Sequence, residues 1–164
     1  MITRDRLKEL VSYDPDLGVF TWNKDYGVKA KKGYRAGYLD KSTGYYKIGL
    51  DERRYYAHRL AWLYISGDWP RKEIDHINGH RDDNRIINLR EASSAQNKYN
   101  SKRPSTNTSG IKGVSKNKRL GKWQSYIWYG NKKLHLGYFD SINDAEAVVV
   151  SKRKMMHKEF AKYV

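Results

Sequence analysis

Ile74-Asp75-His76-Ile77-Asn78-Gly79, then Asn84-Arg85-Ile86-Ile87-Asn88-Leu89-Arg90, then Gln96-Asn97 is the stretch on which the reading of this chain turns. It sets an Asp-His pair, an Asn twelve positions after His76, and a second Asn nine positions further on. A carboxylate, an imidazole and two amides in that order point to one hard-metal hydrolytic site. Carboxylate and amide oxygens suit magnesium or manganese, with waters and substrate phosphate oxygens completing the shell. A neutral imidazole takes a proton from water near neutral pH, and metal plus base is the minimum set for hydrolysing a phosphodiester. Taken singly, each of these residues is equally a turn or capping polar around a hairpin. The four together favour a site.

Around the pair, residues 73–77 read as a strand, the segment through Asp83 as a polar loop, and residues 88–92 as an antiparallel partner. Ser93-Ser94-Ala95-Gln96 has the form of a capping box, opening a helix whose first turn holds Asn97. Neighbours on a strand point to opposite faces, but Asp75 and His76 stand at a strand end running into Asn78-Gly79, where extra twist lets both reach one phosphate. His76 and His80 are four apart, yet Asn-Gly separates them and the chain has no cysteine, which argues against a closed zinc site. His80 reads as a loop residue near phosphate. His58 reads as a helix-start or supporting histidine rather than a ligand.

Before this segment, residues 4–11 read as a short amphipathic helix, 13–18 as a turn and 19–22 as a strand. Lys29-Ala30-Lys31-Lys32-Gly33 is a basic loop, either a phosphate contact or a solvated loop, with the balance toward the latter, and strands are expected at 35–39, 45–50 and 53–57. Residues 58–65 look helical, stopped by Gly67 with Pro70 just beyond. After it, residues 101–110 are polar with Pro and Gly and no apolar side chain, the clearest linker in the chain. Strands follow at 111–115, 122–128 and 132–139, with turns at 118–121 and Gly130-Asn131. A second capping signature, Ser141-Ile142-Asn143-Asp144, starts a helix to about His157, with Ile142, Ala145, Val148 or Val149, Lys152 and Met156 at helical spacing. Lys122, Gln124, Tyr126 and Trp128 alternate onto one basic, aromatic strand face, leaving Trp123 and Ile127 to face the helix. The domains read as a β-rich region at 1–57, a central module at 58–100, the linker, and a sheet-plus-helix domain at 111–164.

The chain has 164 residues, 33 Lys+Arg against 18 Asp+Glu, and a net charge of +15. With 14 Tyr and 5 Trp, that balance fits a polyanion binder that stacks on bases or sugars. The charge is uneven. Residues 1–57 hold 12 basic and 8 acidic groups, 58–100 hold 7 and 6, and 101–164 hold 14 and 4. The segment with the Asp-His pair is nearly neutral, and the tail carries the positive field. The N-terminus lacks the apolar core of a signal peptide, and no apolar run approaches the roughly 20 residues of a membrane span. A soluble, cytoplasmic protein without a membrane partner is expected.

Residues 58–100, through His58-Arg59-Leu60-Ala61-Trp62, Ile74-Asp75-His76-Ile77-Asn78-Gly79, Asp83-Asn84-Arg85-Ile86, Asn88-Leu89-Arg90 and Gln96-Asn97, resemble the HNH nucleases of phages, including intron-type homing endonucleases. The resemblance implies a ββα-metal module in which Asp75 and Asn97 hold the divalent metal, His76 activates water and Asn88 fixes the loop. It implies a phage-encoded enzyme acting on double-stranded DNA inside a bacterial host. With Asn rather than His at the third motif position, it further implies a magnesium-type site and nicking of one strand. One active site per chain predicts a nick, a double-strand break needing a dimer or a second visit, and a monomer or weak dimer is expected. The tail, through Gly110-Ile111-Lys112-Gly113-Val114, Gly121-Lys122-Trp123, Leu136-Gly137-Tyr138-Phe139-Asp140 and Asp144-Ala145-Glu146-Ala147, resembles the plant apetala-type (ethylene-response-factor) DNA-binding domain. Carried over, Lys112, Lys116, Lys118, Arg119, Tyr126, Trp128, Lys133 and His135 face DNA. Tyr126 and Trp128 replace the plant Glu and Arg, so the plant base preference does not transfer. Arg85 and Arg90 are candidate phosphate contacts, or loop pins through a carboxylate such as Asp82 or Asp83. The fold class is therefore α+β: a small N-terminal antiparallel sheet, a ββα-metal module, and a C-terminal three-stranded sheet with one helix. The rival is a DNA-binding regulator built on an inactive scaffold.

Overall fold

A computed structural model describes residues 1–130 and 132–162. The fold is α+β, built from small antiparallel sheets. The chain divides into two compact units, Met1–Glu91 and Ala92–Val164, which places residues 101–110 inside the second.

In the first unit, Thr3 caps helix α1 (Arg4–Leu10) by accepting the amide of Arg6, and Leu7 and Leu10 are buried. The β1 (Val11–Asp14) and β2 (Val19–Trp22) strands form a hairpin burying Val11, Tyr13, Phe20 and Trp22 on one side, the period of two that a half-buried ribbon requires. The expected strand at 35–39 is shorter and later: β3 is Tyr38–Asp40, and Arg35 makes only an isolated bridge to Thr21. Gly37 explains the break. Its φ is +91°, and a Cβ there would lie 2.5 Å from the carbonyl oxygen of Lys47. β3 pairs with β4 (Tyr45–Leu50), which pairs with β5 (Arg53–Tyr56). Ile48 and Leu50 turn inward, while Tyr45, Lys47 and Tyr56 share the opposite face. Helix α2 (Ala57–Ser66) buries Ala57, Leu60, Ala61 and Leu63 and ends at Gly67, whose φ of +93° closes the helix in the left-handed conformation. The ribbon of β6 (Glu73–His76) and β7 (Leu89–Ala92) completes the unit, preceded on its second strand by a single 3-10 turn, Ile86–Asn88.

In the second unit, α3 (Ser94–Tyr99) starts at a complete capping box: Ser93 accepts the Gln96 amide, and the Gln96 side chain accepts the Ser93 amide. The three strands β8 (Val114–Asn117), β9 (Lys122–Tyr129) and β10 (Lys132–Phe139) form an antiparallel sheet with β9 in the middle. The expected turn at Gly130-Asn131 has its second residue outside the described residues. The first tail strand begins three residues later than expected, because Gly113 sits at φ +84°, where a Cβ would lie 2.6 Å from the Tyr126 carbonyl oxygen. Helix α4 (Ile142–His157) packs Ala145 and Val149 against Val114, with Trp123 and Phe139 at the edges. Its inward stripe runs Ala145, Val149, Arg153, His157, a strict spacing of four, so Lys152 points outward and the two residues after Val149 on that face are polar.

Candidate active site and nucleic-acid surface

Ile74, Asp75 and His76 are buried in succession at the end of β6. Strand alternation sends the two polar side chains to different partners. Asp75 Oδ2 receives both Nε and Nη2 of Arg90, at 2.9 and 2.8 Å, from the paired strand. His76 points into a group of rings: His58 at 5.0 Å edge-on and Tyr45 at 5.8 Å, measured between centroids. Its Nε2 lies 3.4 Å from Asn84 Oδ1. Burial holds the imidazole below its ordinary pKa, against the opposing pull of Asn84 and the carboxylates of Asp75, Asp83 and Asp82. His76 is therefore neutral at pH 7, the state a general base needs.

The loop between the strands is tied at several points. Asn88 spans it, accepting the Asn78 amide at 3.0 Å through Oδ1 and donating to the Asp83 carbonyl at 2.8 Å through Nδ2. Asn78 donates from Nδ2 to Asp83 at 2.7 Å. Arg85 closes on the same carboxylate at 2.6 and 2.8 Å, which holds Asp83 down at about 2. The Tyr13 hydroxyl donates to the Asn84 carbonyl at 2.6 Å, and the Ile86 amide donates to the Pro15 carbonyl at 3.2 Å, so the first hairpin supports the loop from below.

Of the two arginines considered for phosphate, Arg85 pins the loop through Asp83 and Arg90 grips Asp75; both guanidinium groups bind carboxylates. His58 is 6 % exposed, stacked on Tyr56 at 5.4 Å, and pushed down to about 3 by burial and then by His76 and Arg59. His80 is an exposed loop residue. Asn97 lies on α3 in the second unit. Asn84 is quoted in the sequence motif but given no role there, and Tyr45 is not singled out, because its place beside His76 depends on strands far apart in the chain.

No three His, Cys, Asp or Glu side chains cluster as a metal cage among the described residues. A carboxylate with an amide oxygen is a donor set that fits magnesium, which keeps most of its waters and uses one or two carboxylates plus substrate phosphate. It does not fit zinc.

The open face of the second unit's sheet carries Tyr126 and Trp128 on β9 opposite His135 and Lys133 on β10. The Lys133 ammonium lies 3.9 Å over the Tyr126 ring, and His135 meets Tyr138 at 4.5 Å. Lys118 and Arg119 are exposed in the turn at one end. Two residues expected on this face are elsewhere. Lys116 pairs with Trp123 on the helix side, its ammonium 4.8 Å over that ring. Lys112 is turned inward, donating to the carbonyls of Tyr99 and Ser101.

A family model described as HNH endonuclease matches residues 55–99. The chain is 31% identical over 107 residues to Protein 3.8 of Escherichia phage T7, covering 65% of this chain and 88% of that one. No solved structure matches it. No helix among the described residues is long and apolar enough to cross a membrane.

Proposed function

This chain belongs to the family of phage T7 Protein 3.8 and carries an HNH endonuclease domain at residues 55–99, and from that premise we propose that it is a metal-dependent endonuclease that hydrolyses phosphodiester bonds in double-stranded DNA. The observation that carries the reading is His76, buried, neutral and next to the buried carboxylate of Asp75, at the end of a strand whose following loop is braced by Asn88. His76 takes the proton of the attacking water. Asp75, its orientation set by Arg90, is the carboxylate ligand for magnesium or manganese. Asn97 joins it as the amide ligand on the sequence pattern alone. When bound, the ion supplies charge that offsets the negative charge developing on the phosphate. Asn88 keeps the loop in the shape that presents His76 to the phosphate.

The exposed basic and aromatic sheet face, with Lys118, Arg119, Tyr126, Trp128, Lys133 and His135, is the proposed grip on duplex DNA. Three antiparallel strands backed by one helix suit the apetala-type arrangement that the tail motifs resemble. One site per chain makes a nick the product, a double-strand break needing a dimer or a second visit, and the chain is a monomer or weak dimer, a homing-type enzyme encoded by a phage and acting in the host cytoplasm.

The test is supercoiled plasmid with magnesium. The wild type converts it to the open circle; His76→Ala lowers the rate by about 10²- to 10⁴-fold and still shifts DNA in a gel. If wild type and His76→Ala both bind and neither relaxes the plasmid, the chain is a DNA-binding regulator on an inactive scaffold.

A further inference from the structure

Three arginines follow the Asp-His pair in the first unit: Arg81, Arg85 and Arg90. Two of them are committed to carboxylates, Arg85 to Asp83 and Arg90 to Asp75. Arg81 is not. It is exposed, forms no ion pair among the described residues, and donates once, from Nη1 to the Thr43 carbonyl at 2.9 Å. A guanidinium carries five donors in a planar fork, so most of that fork is left for a partner from outside.

The first sheet sets where the fork stands. Thr43 lies in the turn between β3 and β4, and the Arg81 guanidinium sits 5.1 Å over the ring of Tyr45, the first residue of β4. The Tyr45 ring meets His76 at 5.8 Å and His58 at 5.1 Å. One ring therefore separates the held cation from the buried imidazole. A DNA strand advances about 3.4 Å along the axis per nucleotide, so a backbone with one phosphate at His76 brings a neighbouring phosphate within the span to Arg81. Stacking on Tyr45 also restricts a long side chain in advance, which reduces the ordering lost when an anion binds. The sheet face beside it does not oppose an anion. Its carboxylate, Asp40, is neutralised by Lys47 at 2.6 Å.

We propose that Arg81 binds a backbone phosphate of DNA lying across His76, next to the phosphate that His76 meets, with Tyr45 as its platform. That the phosphate at His76 is the one being cut rests on the hydrolytic reading; the grip of Arg81 on its neighbour does not.

Two measurements on the full chain keep these readings apart. Arg81→Gln retains a donor for the Thr43 carbonyl and removes the charge, whereas Arg81→Lys retains the charge. In a His76→Ala background, where nothing is cut, binding of a mixed-sequence duplex is followed at several salt concentrations. Adding Arg81→Gln reduces the slope of log K against log salt by about 1 in magnitude, and Arg81→Lys restores it. On supercoiled plasmid with magnesium and His76 intact, Arg81→Gln lowers kcat/KM about tenfold, the loss of one charge-assisted contact, and does so through KM rather than kcat. An unchanged salt slope overturns the proposal whether or not the wild type cuts. A fall in kcat at constant KM overturns it as well, because Arg81 then only braces the loop. A wild type that leaves the plasmid intact removes the hydrolytic reading alone, and the salt slope still decides whether Arg81 holds a phosphate.

Discussion

His58 and His76 are two histidines in one buried cluster, and burial sets the behaviour of both. His76 retains the opposing pull of Asn84 and nearby carboxylates, whereas His58 has only burial and positive neighbours and falls to about 3. In the unfolded chain a histidine titrates near 6.5. A folded pKa below the unfolded one means the stability is fully present above 6.5 and drains away as pH falls toward 3, by up to about 1.4 kcal/mol per pH unit. His58→Phe keeps an aromatic ring beside Tyr56 and His76 and removes the proton. Its unfolding free energy is expected to drop less between pH 6.5 and 5 than that of the wild type, measured by urea titration at each pH. Equal drops in the two proteins would show that His58 does not govern this window.

At the level of elements, the loop that carries Asn84 and Arg85 rests on the turn of the first hairpin. Gly18 has φ +69°, and a Cβ there would lie 2.4 Å from the Arg85 amide nitrogen and 2.6 Å from the Asn84 carbonyl carbon, both backbone. Gly18→Ala therefore forces the loop away and with it the Asn84 side chain that faces His76. Gly27→Ala serves as the control: φ there is +103° but nothing lies within 4 Å. Backbone strain alone costs on the order of 1–3 kcal/mol, so both variants lose thermal stability. Only Gly18→Ala is expected to lose plasmid cleavage at temperatures where it remains folded. The elements themselves were largely readable. The capping box at Ser93 and the stop at Gly67 are local chemistry between residues a turn apart, so they appear in the structure where the sequence places them. The strand expected at 35–39 did not, because the close approach of Gly37 to Lys47 is a contact between strands.

Across the whole molecule the charge is concentrated away from the Asp-His segment: residues 101–164 hold 14 basic and 4 acidic groups, against 7 and 6 in residues 58–100. DNA affinity is expected to fall linearly in a plot of log K against log salt, as bound counterions are released. Lys133→Ala, on the open sheet face, should reduce the magnitude of that slope by about 1 and weaken all duplex sequences alike. An unchanged slope would place the DNA surface elsewhere. Filter binding at several salt concentrations provides the measurement.

The residue types and order of Asp75, His76, Asn88 and Asn97 were enough to suggest a hydrolytic module, and alternation along β9 was enough to sort Tyr126 and Trp128 from Trp123 and Ile127. Those properties depend on near neighbours and on a fixed backbone period. The partners of charged side chains do not. That Arg90 holds Asp75, that Arg85 closes on Asp83 and that Lys112 turns inward to two carbonyls were decided by tertiary structure. A long cationic side chain reaches several partners within its radius, and only the folded backbone determines which carboxylate or carbonyl is there to meet it.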